Sequence, residues 1–322
     1  MGLKKAPNNK KMEAIDLTLT TLQCLEIGKI IKSESEITNL DFSPDGHYLL
    51  SASNTINLIN VFRGSIEKTI QSPASLIHFT NHPSGFLSSS QASLDYWSLQ
   101  SVHKIHSFPF SNLTSLDMSP KNDTFLASDV KKLTLFDLNQ KKKFADLEIS
   151  ESMGNIISKF DPSGLIFIVA YSIISEGKYK NVVQVFDSRK YSQGAFSVWV
   201  FEGAEIISAD FSFDGQYILI NSKSGVLTLI DSISGKIKNV FKDFIGNSYC
   251  NAVFSPDSKY FFVGCEKNFG VVGAAVDSCQ KVHEVKGNLK SVKCLAWNPE
   301  YCVMATANED LLLWVPDYMR IR

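Results

Sequence analysis

A five-residue phrase, Phe42-Ser43-Pro44-Asp45-Gly46, returns six more times in altered form along this chain of 322 residues. The copies are Phe79 to Gly85, Met118 to Asn122, Phe160 to Gly164, Phe211 to Gly215, Phe254 to Ser258 and Trp297 to Glu300. With the proline as marker (Phe213 in the fifth copy), successive copies lie 39, 37, 42, 51, 43 and 43 residues apart. Proline fixes φ, and the Asp, Asn and Gly that follow tolerate turn geometry, so each copy reads as a turn between two strands. Such turns at a period of about 40–45 residues are the signature of a β-propeller, in which each repeat is one blade. The chain therefore predicts an all-β, seven-bladed propeller.

The third repeat shows how one blade is written. Leu116, Met118, Phe125 and Ala127 are apolar positions on either side of the turn. A second hairpin leads to Leu133-Thr134-Leu135-Phe136-Asp137, where apolar and polar residues alternate with the period of a strand. Three lysines follow, then Phe144 to Leu147 as an outermost strand, which makes four short strands. The ending of the third strand recurs as Ile59-Asn60, Trp97-Ser98, Phe136-Asp137, Phe186-Asp187, Ile230-Asp231 and Trp314-Val315. Its large residue is expected to pack against the neighbouring blade. The sixth repeat, Phe269 to Ala275, offers a strand without this aromatic.

The last repeat stops after Trp314 with only a short tail, so blade seven lacks an outer strand of its own. Residues 25–31, ahead of the first repeat, read as that strand, and closure of this kind hides an open sheet edge. The expected organisation is a mostly disordered, Lys-rich segment over 1–24, the propeller over 25–316 and a short tail over 317–322. The pairs Lys4-Lys5 and Lys10-Lys11 also fit a nuclear import signal. The long fourth interval places an insertion at Ser172 to Asn181, in the hairpin between the second and third strands of blade four.

Composition narrows the function. With a formal net charge of −1, the chain lacks the basic footprint of a nucleic-acid binder. The longest apolar run, Leu165 to Tyr171, is too short to span a bilayer. The six cysteines are scattered without a C-x-x-C pair and read as buried thiols in a reducing compartment. The six histidines lack metal-ligand spacing, no G-x-S-x-G elbow occurs, and Gly270 to Gly273 has no following helix to bind a phosphate. The expectation is a non-enzyme with no cofactor and no metal, a monomer outside its complex.

Certain phrases go beyond a generic repeat. Met118-Ser119-Pro120 with Asn122 to Phe125, Phe160 to Phe167, Phe186-Asp187-Ser188-Arg189 with Gly194 and Phe196, and Trp297-Asn298-Pro299 through Trp314-Val315-Pro316 together resemble the Swd-two / WD-repeat-protein-eighty-two family. The resemblance runs from about Gly28 to Pro316 and is diffuse in blades two and six. It implies a nuclear WD-repeat scaffold, a non-catalytic subunit of a COMPASS-type histone lysine methyltransferase with its SET-domain enzyme. It also implies coupling to the phosphorylated C-terminal repeat of RNA polymerase II. A phosphatase complex or the cleavage-and-polyadenylation machinery of transcription termination are the other assemblies it implies. The insertion, the altered sixth blade and the Lys-rich start depart from the family pattern.

A phosphorylated partner would require Arg or Lys with geometry for phosphate oxygens. The candidates are Lys131 and Lys132 in a blade-three hairpin and Arg189 and Lys190 after a blade-four strand, Arg189 coinciding with an arginine of the family pattern. Two other readings stand beside this one. One is a generic WD-repeat adaptor in ubiquitin ligation or trafficking. The other is a propeller enzyme or small-molecule binder, which would need polar groups converging on the central channel.

Overall fold

The computed structural model describes residues 17–82, 84–242, 250–265, 269–288 and 290–317. Among these, all the strands fall into seven four-stranded antiparallel sheets. In six of them the strands pair in chain order from the channel outwards. Blade three, for example, runs Ser115–Met118, Thr124–Ser128, Lys132–Asp137 and Lys142–Glu148. The seven first strands touch one another in succession, and the seventh touches the first, so the ring is closed.

Closure is made by the chain start. The seventh sheet is Cys294–Trp297, Met304–Ala307, Asp310–Pro316 and, outermost, Leu25–Lys32. Its register runs from Leu25 opposite Pro316 to Lys32 opposite Asp310, with a bulge at Gly28. There a Cβ would lie 2.7 Å from Val315 Cγ2, so the bulge suits glycine. Ahead of this strand, Thr18 caps a helix over Leu19–Gln23, accepting the Thr21 N–H at 3.2 Å. Leu22 of this helix is fully buried against blades six and seven. Order therefore begins before residue 25, because Leu17 and Leu22 complete an apolar cluster; residues 1–16 and 318–322 of the expected terminal segments lie outside the described residues.

The repeated phrase folds the same way in three copies. Ser43 Oγ donates to Asp45 Oδ1 at 2.6 Å and accepts the Tyr48 N–H at 2.9 Å, while Asp45 Oδ1 accepts the His47 N–H. Ser212 with Asp214 and Ser255 with Asp257 repeat the pattern. The chain then turns at positive φ, +69° at Gly46 and +72° at Gly215. In the sixth copy Ser258 takes this conformation at +60°, and its Oγ accepts the Asp214 N–H of blade five at 3.0 Å. At Gly46 an added Cβ would meet Asn298 Oδ1 and lie 2.9 Å from Tyr301 Cδ2. Gly46→Ala is expected to destabilise the protein by at least ~1–2 kcal/mol, the backbone cost alone. An unchanged urea midpoint would rule this out.

The core lies between blades, and each cluster draws on two neighbours. Trp97, Phe136, Phe186 and Trp314 each pack on the preceding blade. The Trp314 indole N–H donates to Thr306 Oγ1 and that hydroxyl to Asn288 Oδ1, both at 2.9 Å. In blade six Ala274 stands opposite Phe261, at the place the aromatic holds elsewhere. The volume is supplied by Phe254, Phe261 and Phe241, the last from blade five, with Phe241 and Phe261 4.9 Å apart. The insertion is a regular extension of its hairpin, paired from Ser172 opposite Asn181 to Ser175 opposite Lys178. It turns on Glu176 and Gly177 at φ of +54° and +74°. Ser172 Oγ anchors it by accepting the Ile206 N–H of blade five at 3.0 Å.

Candidate functional site

The first strand of each blade has an open edge on the channel, so its amides need acceptors that no further strand supplies. Polar side chains of the preceding blade supply several of them. Asn39 Oδ1 accepts from Ile77 N (3.1 Å) and Asp41 Oδ2 from Phe79 N (2.6 Å). Ser115 Oγ accepts from Ser158 N (3.0 Å) and Asp117 Oδ2 from Phe160 N (2.8 Å). Ser208 Oγ accepts from Ala252 N and Asn251 Oδ1 from Leu295 N. The channel wall is thus stitched blade to blade by side chains.

One position per blade, just before the Phe, Met or Trp that opens each repeated phrase, forms a ring. Around the channel it reads Asp41, His78, Asp117, Lys159, Asp210, Val253 and Ala296. Lys159 Nζ lies 2.8 Å from Asp117 Oδ1; His78 lies 3.6 Å from Asp117 through Nε2 and 3.5 Å from Asp41 through Nδ1. Burial alone would discharge His78, but the flanking carboxylates of Asp41 and Asp117 outweigh it and raise its pKa to about 9. Burial also pushes Asp117 up, yet Lys159 and His78 hold its carboxyl below the usual range. The same cation pair does not rescue Asp210, which burial, reinforced by Asp117, raises to about 6 against the pull of Lys159. Asp41 is likewise raised, by burial first. A cavity of about 200 Å³ lies along this ring, bounded by Asp41, Lys159, Asp210, Val253, Trp297 and, at its mouth, Phe213.

Sequence reasoning did not single out these ring residues. The signal was present in Asp41-Phe42-Ser43, Asp117-Met118-Ser119 and Asp210-Phe211-Ser212, where an acid precedes the repeated phrase. Among the described residues, no three His, Cys, Asp or Glu side chains are grouped to hold a metal ion. Burial pushes the thiols of Cys250 and Cys302 up to about 12, which makes them poor nucleophiles.

The four basic residues read from sequence do not come together. Lys131 lies in the turn between the second and third strands of blade three and Lys132 opens that third strand. Arg189 and Lys190 follow the third strand of blade four, Lys178–Asp187. Strands alternate in direction, so turns between second and third strands open on one face and those after third strands on the other. On the Lys131 face stand exposed Met153, Ile174 and Tyr179; on the Arg189 face stand exposed Phe196, Ile233 and Phe213. The Arg189 side chain is 74% exposed, with Nε 3.5 Å from Asp187 Oδ1.

Known proteins share this architecture in sequence. Residues 25–59 match the family model described as WD domain, G-beta repeat. The chain is 29% identical over 324 residues to WD repeat-containing protein 82 of Drosophila melanogaster, covering 95% of this chain and 98% of that protein. It is 28% identical to the Set1 complex component swd2 of Schizosaccharomyces pombe, over 78% of this chain and 75% of that one. The COMPASS component SWD2 of Saccharomyces cerevisiae is 25% identical over 87% of this chain and 91% of its own.

Proposed function

We propose that this chain, a seven-bladed propeller of the Swd2 / WD repeat-containing protein 82 family, is a non-catalytic scaffold subunit of a Set1/COMPASS-type histone methyltransferase assembly in the nucleus. The observation that carries the reading is similarity along most of the chain to relatives named as components of the Set1 complex and of COMPASS. The fold supports it: seven rigid blades offer two broad loop faces, and the exposed apolar side chains on both suit protein partners. The propeller over 25–316, with the helix Leu19–Gln23 packed on it, is the scaffold unit. The finer partners are a SET-domain enzyme and the phosphorylated C-terminal repeat of RNA polymerase II, with phosphatase and polyadenylation subunits on the termination branch.

The test is affinity purification of the tagged protein from nuclear extract, with bound proteins identified by mass spectrometry. Recovery of a SET-domain methyltransferase is the expected result. Recovery of a phosphatase or polyadenylation subunit instead would choose the termination branch, and a cytoplasmic set with neither would leave a generic adaptor. Because the basic pairs lie on opposite faces, they are reversed separately, as Lys131→Glu with Lys132→Glu and as Arg189→Glu with Lys190→Glu. One pair is expected to weaken phosphopeptide capture about tenfold, the loss of one charge-assisted contact. Intact capture by both would remove all four residues from the site.

A further inference from the structure

Six of the seven blades guard their outer edge, and blade four does not. In blades one, two, three, five, six and seven the outer strand joins its neighbour through a register shift. Each of those strands also carries lysine: Lys68, Lys104, Lys142, Lys238, Lys281 and Lys29, in the same order. Bulges and edge lysines keep a sheet from pairing with another chain. The outer strand of blade four, Ser197–Glu202, has neither device. It pairs one to one with its neighbour, from Ser197 opposite Val185 to Glu202 opposite Lys180, and its single charge is Glu202 at the last position. Among the described residues no strand pairs with its outer side.

The strand is also the right chemistry for a further partner. Val198, Trp199, Val200 and Phe201 are β-branched and aromatic in alternation, which favours a strand on either side of them. Val198 and Val200 are 52% and 55% exposed. They stand opposite Gln184 and Val182, and Val182 belongs to the cluster shared with Leu133 and Leu135 of blade three. The two valines therefore lie on the face turned to blade three, while Trp199 packs from the other face on the cluster shared with blade five. A fifth strand would be held by main-chain hydrogen bonds, and its residues opposite Val198 and Val200 would cover them.

Charge sets the direction and ends of that strand. Exposed Arg189 and Lys190 lie in the connection leading to Ser197, and Glu202, 72% exposed, stands at the other end. Every pairing within the blade is antiparallel. An added antiparallel strand runs from Glu202 towards Ser197, so a basic group precedes its apolar residues and an acidic one follows them. A second rigid propeller would meet this edge only along its length of about 20 Å. A flexible segment follows the strand and reaches the two cations beyond it.

We infer that the outer edge of blade four is a docking site for an extended segment of a partner protein, which adds a fifth strand to the blade. The segment carries a basic residue, then β-branched residues at alternate positions, then acidic residues. The site goes beyond the scaffold reading and does not depend on it, since the edge is open whichever assembly the loop faces join.

The test uses the full chain and a labelled, unphosphorylated peptide, Lys-Thr-Val-Thr-Val-Thr-Asp-Asp, blocked at both ends. Anisotropy measures binding, and hydrogen exchange read by mass spectrometry locates it. Saturable one-to-one binding tighter than about 1 mM is expected, with exchange slowed over residues 197–202. Val200→Lys restores a guard at an exposed position and should weaken binding at least about tenfold, whereas Val200→Ile should not. A peptide with proline for each threonine keeps the valines and charges but cannot form a strand, and should not bind. A peptide with its charged ends exchanged should bind more weakly, and equal binding overturns the assigned order of charges. No saturable binding to the unaltered chain, slowed exchange elsewhere than 197–202, equal binding to Val200→Lys, or equal binding of the proline peptide overturns the proposal. A chain that dimerises in sedimentation, and becomes monomeric with Val200→Lys, would make the occupant a second copy and overturn the partner assignment.

Discussion

Removal of residues 1–33 is expected to abolish the cooperative unfolding transition of the whole propeller. The deletion takes away the outer strand Leu25–Lys32 and the helix Leu19–Gln23 together. The strand Asp310–Pro316 then loses its partner along its whole length, and Trp314 and Leu312 lose the cluster they share with Leu25 and fully buried Leu22. Burying one large aliphatic side chain stabilises by about 1.5–3 kcal/mol. Losing several, together with a ladder of hydrogen bonds, takes up most of the about 5–15 kcal/mol by which a domain is stable. Blade seven also closes the ring onto blade one: Ile37 N donates to Asn308 O at 2.6 Å and Asn298 Nδ2 to Gly46 O at 2.7 Å. A loosened seventh blade therefore opens the circle.

A circular rearrangement separates closure from mere loss of chain. Asp317 N donates to Cys24 O at 2.8 Å, so the end of the third strand already lies beside the start of the outer one. Moving residues 17–33 behind residue 317 through a short Gly-Ser linker should restore melting, because the pair is antiparallel and a hairpin can join it. A truncation that melts like the full chain would show that the strand is dispensable; a rearranged chain that melts no better than a destabilised truncation would show that returning the strand does not close the ring.

The architecture was legible because it rests on local chemistry repeated seven times. Turn residues at a fixed period and apolar residues alternating around them need no knowledge of long-range contacts. The closing strand was legible for a different reason: blade seven had no outer strand after Trp314, and an open edge demands one. The insertion was placed correctly, but its regular pairing was hidden, since Ser172, Glu176 and Asn181 read equally well as loop residues. The channel ring was hidden more deeply. Asp41, Asp117 and Asp210 are ordinary strand-edge acids in one dimension, and their meaning depends on which blade follows. The basic candidates illustrate the converse, because nearness in sequence type did not carry over to nearness in space: alternating strand direction sends Lys131 and Arg189 to opposite faces.

Asp117→Ala is expected to cost about 3–5 kcal/mol, the range for breaking a buried pair and leaving its partner uncompensated. Three losses coincide at this one carboxylate. The Phe160 amide loses its acceptor at 2.8 Å, Lys159 loses its partner at 2.8 Å, and His78 loses one of its two carboxylates. Asp117→Asn retains an acceptor for the amide and should fall between the wild type and Asp117→Ala. The pH dependence identifies the cause. The His78 pKa is raised from 6.5 unfolded to about 9 folded, so its charge stabilises fully below pH 6.5 and that contribution is lost as pH rises through about 9. The Asp117 carboxyl is held below its unfolded value of 3.8, so its contribution is present above pH 3.8 and is lost as pH falls through the lower folded value. The difference between wild type and Asp117→Ala should therefore be widest from pH 4 to 6.5, narrow above pH 9 and narrow again in acid. Urea unfolding at a series of pH values measures it; a cost below about 1 kcal/mol, the worth of an exposed pair, or one flat across pH, would mean that the ring charges are solvated by channel water rather than by each other.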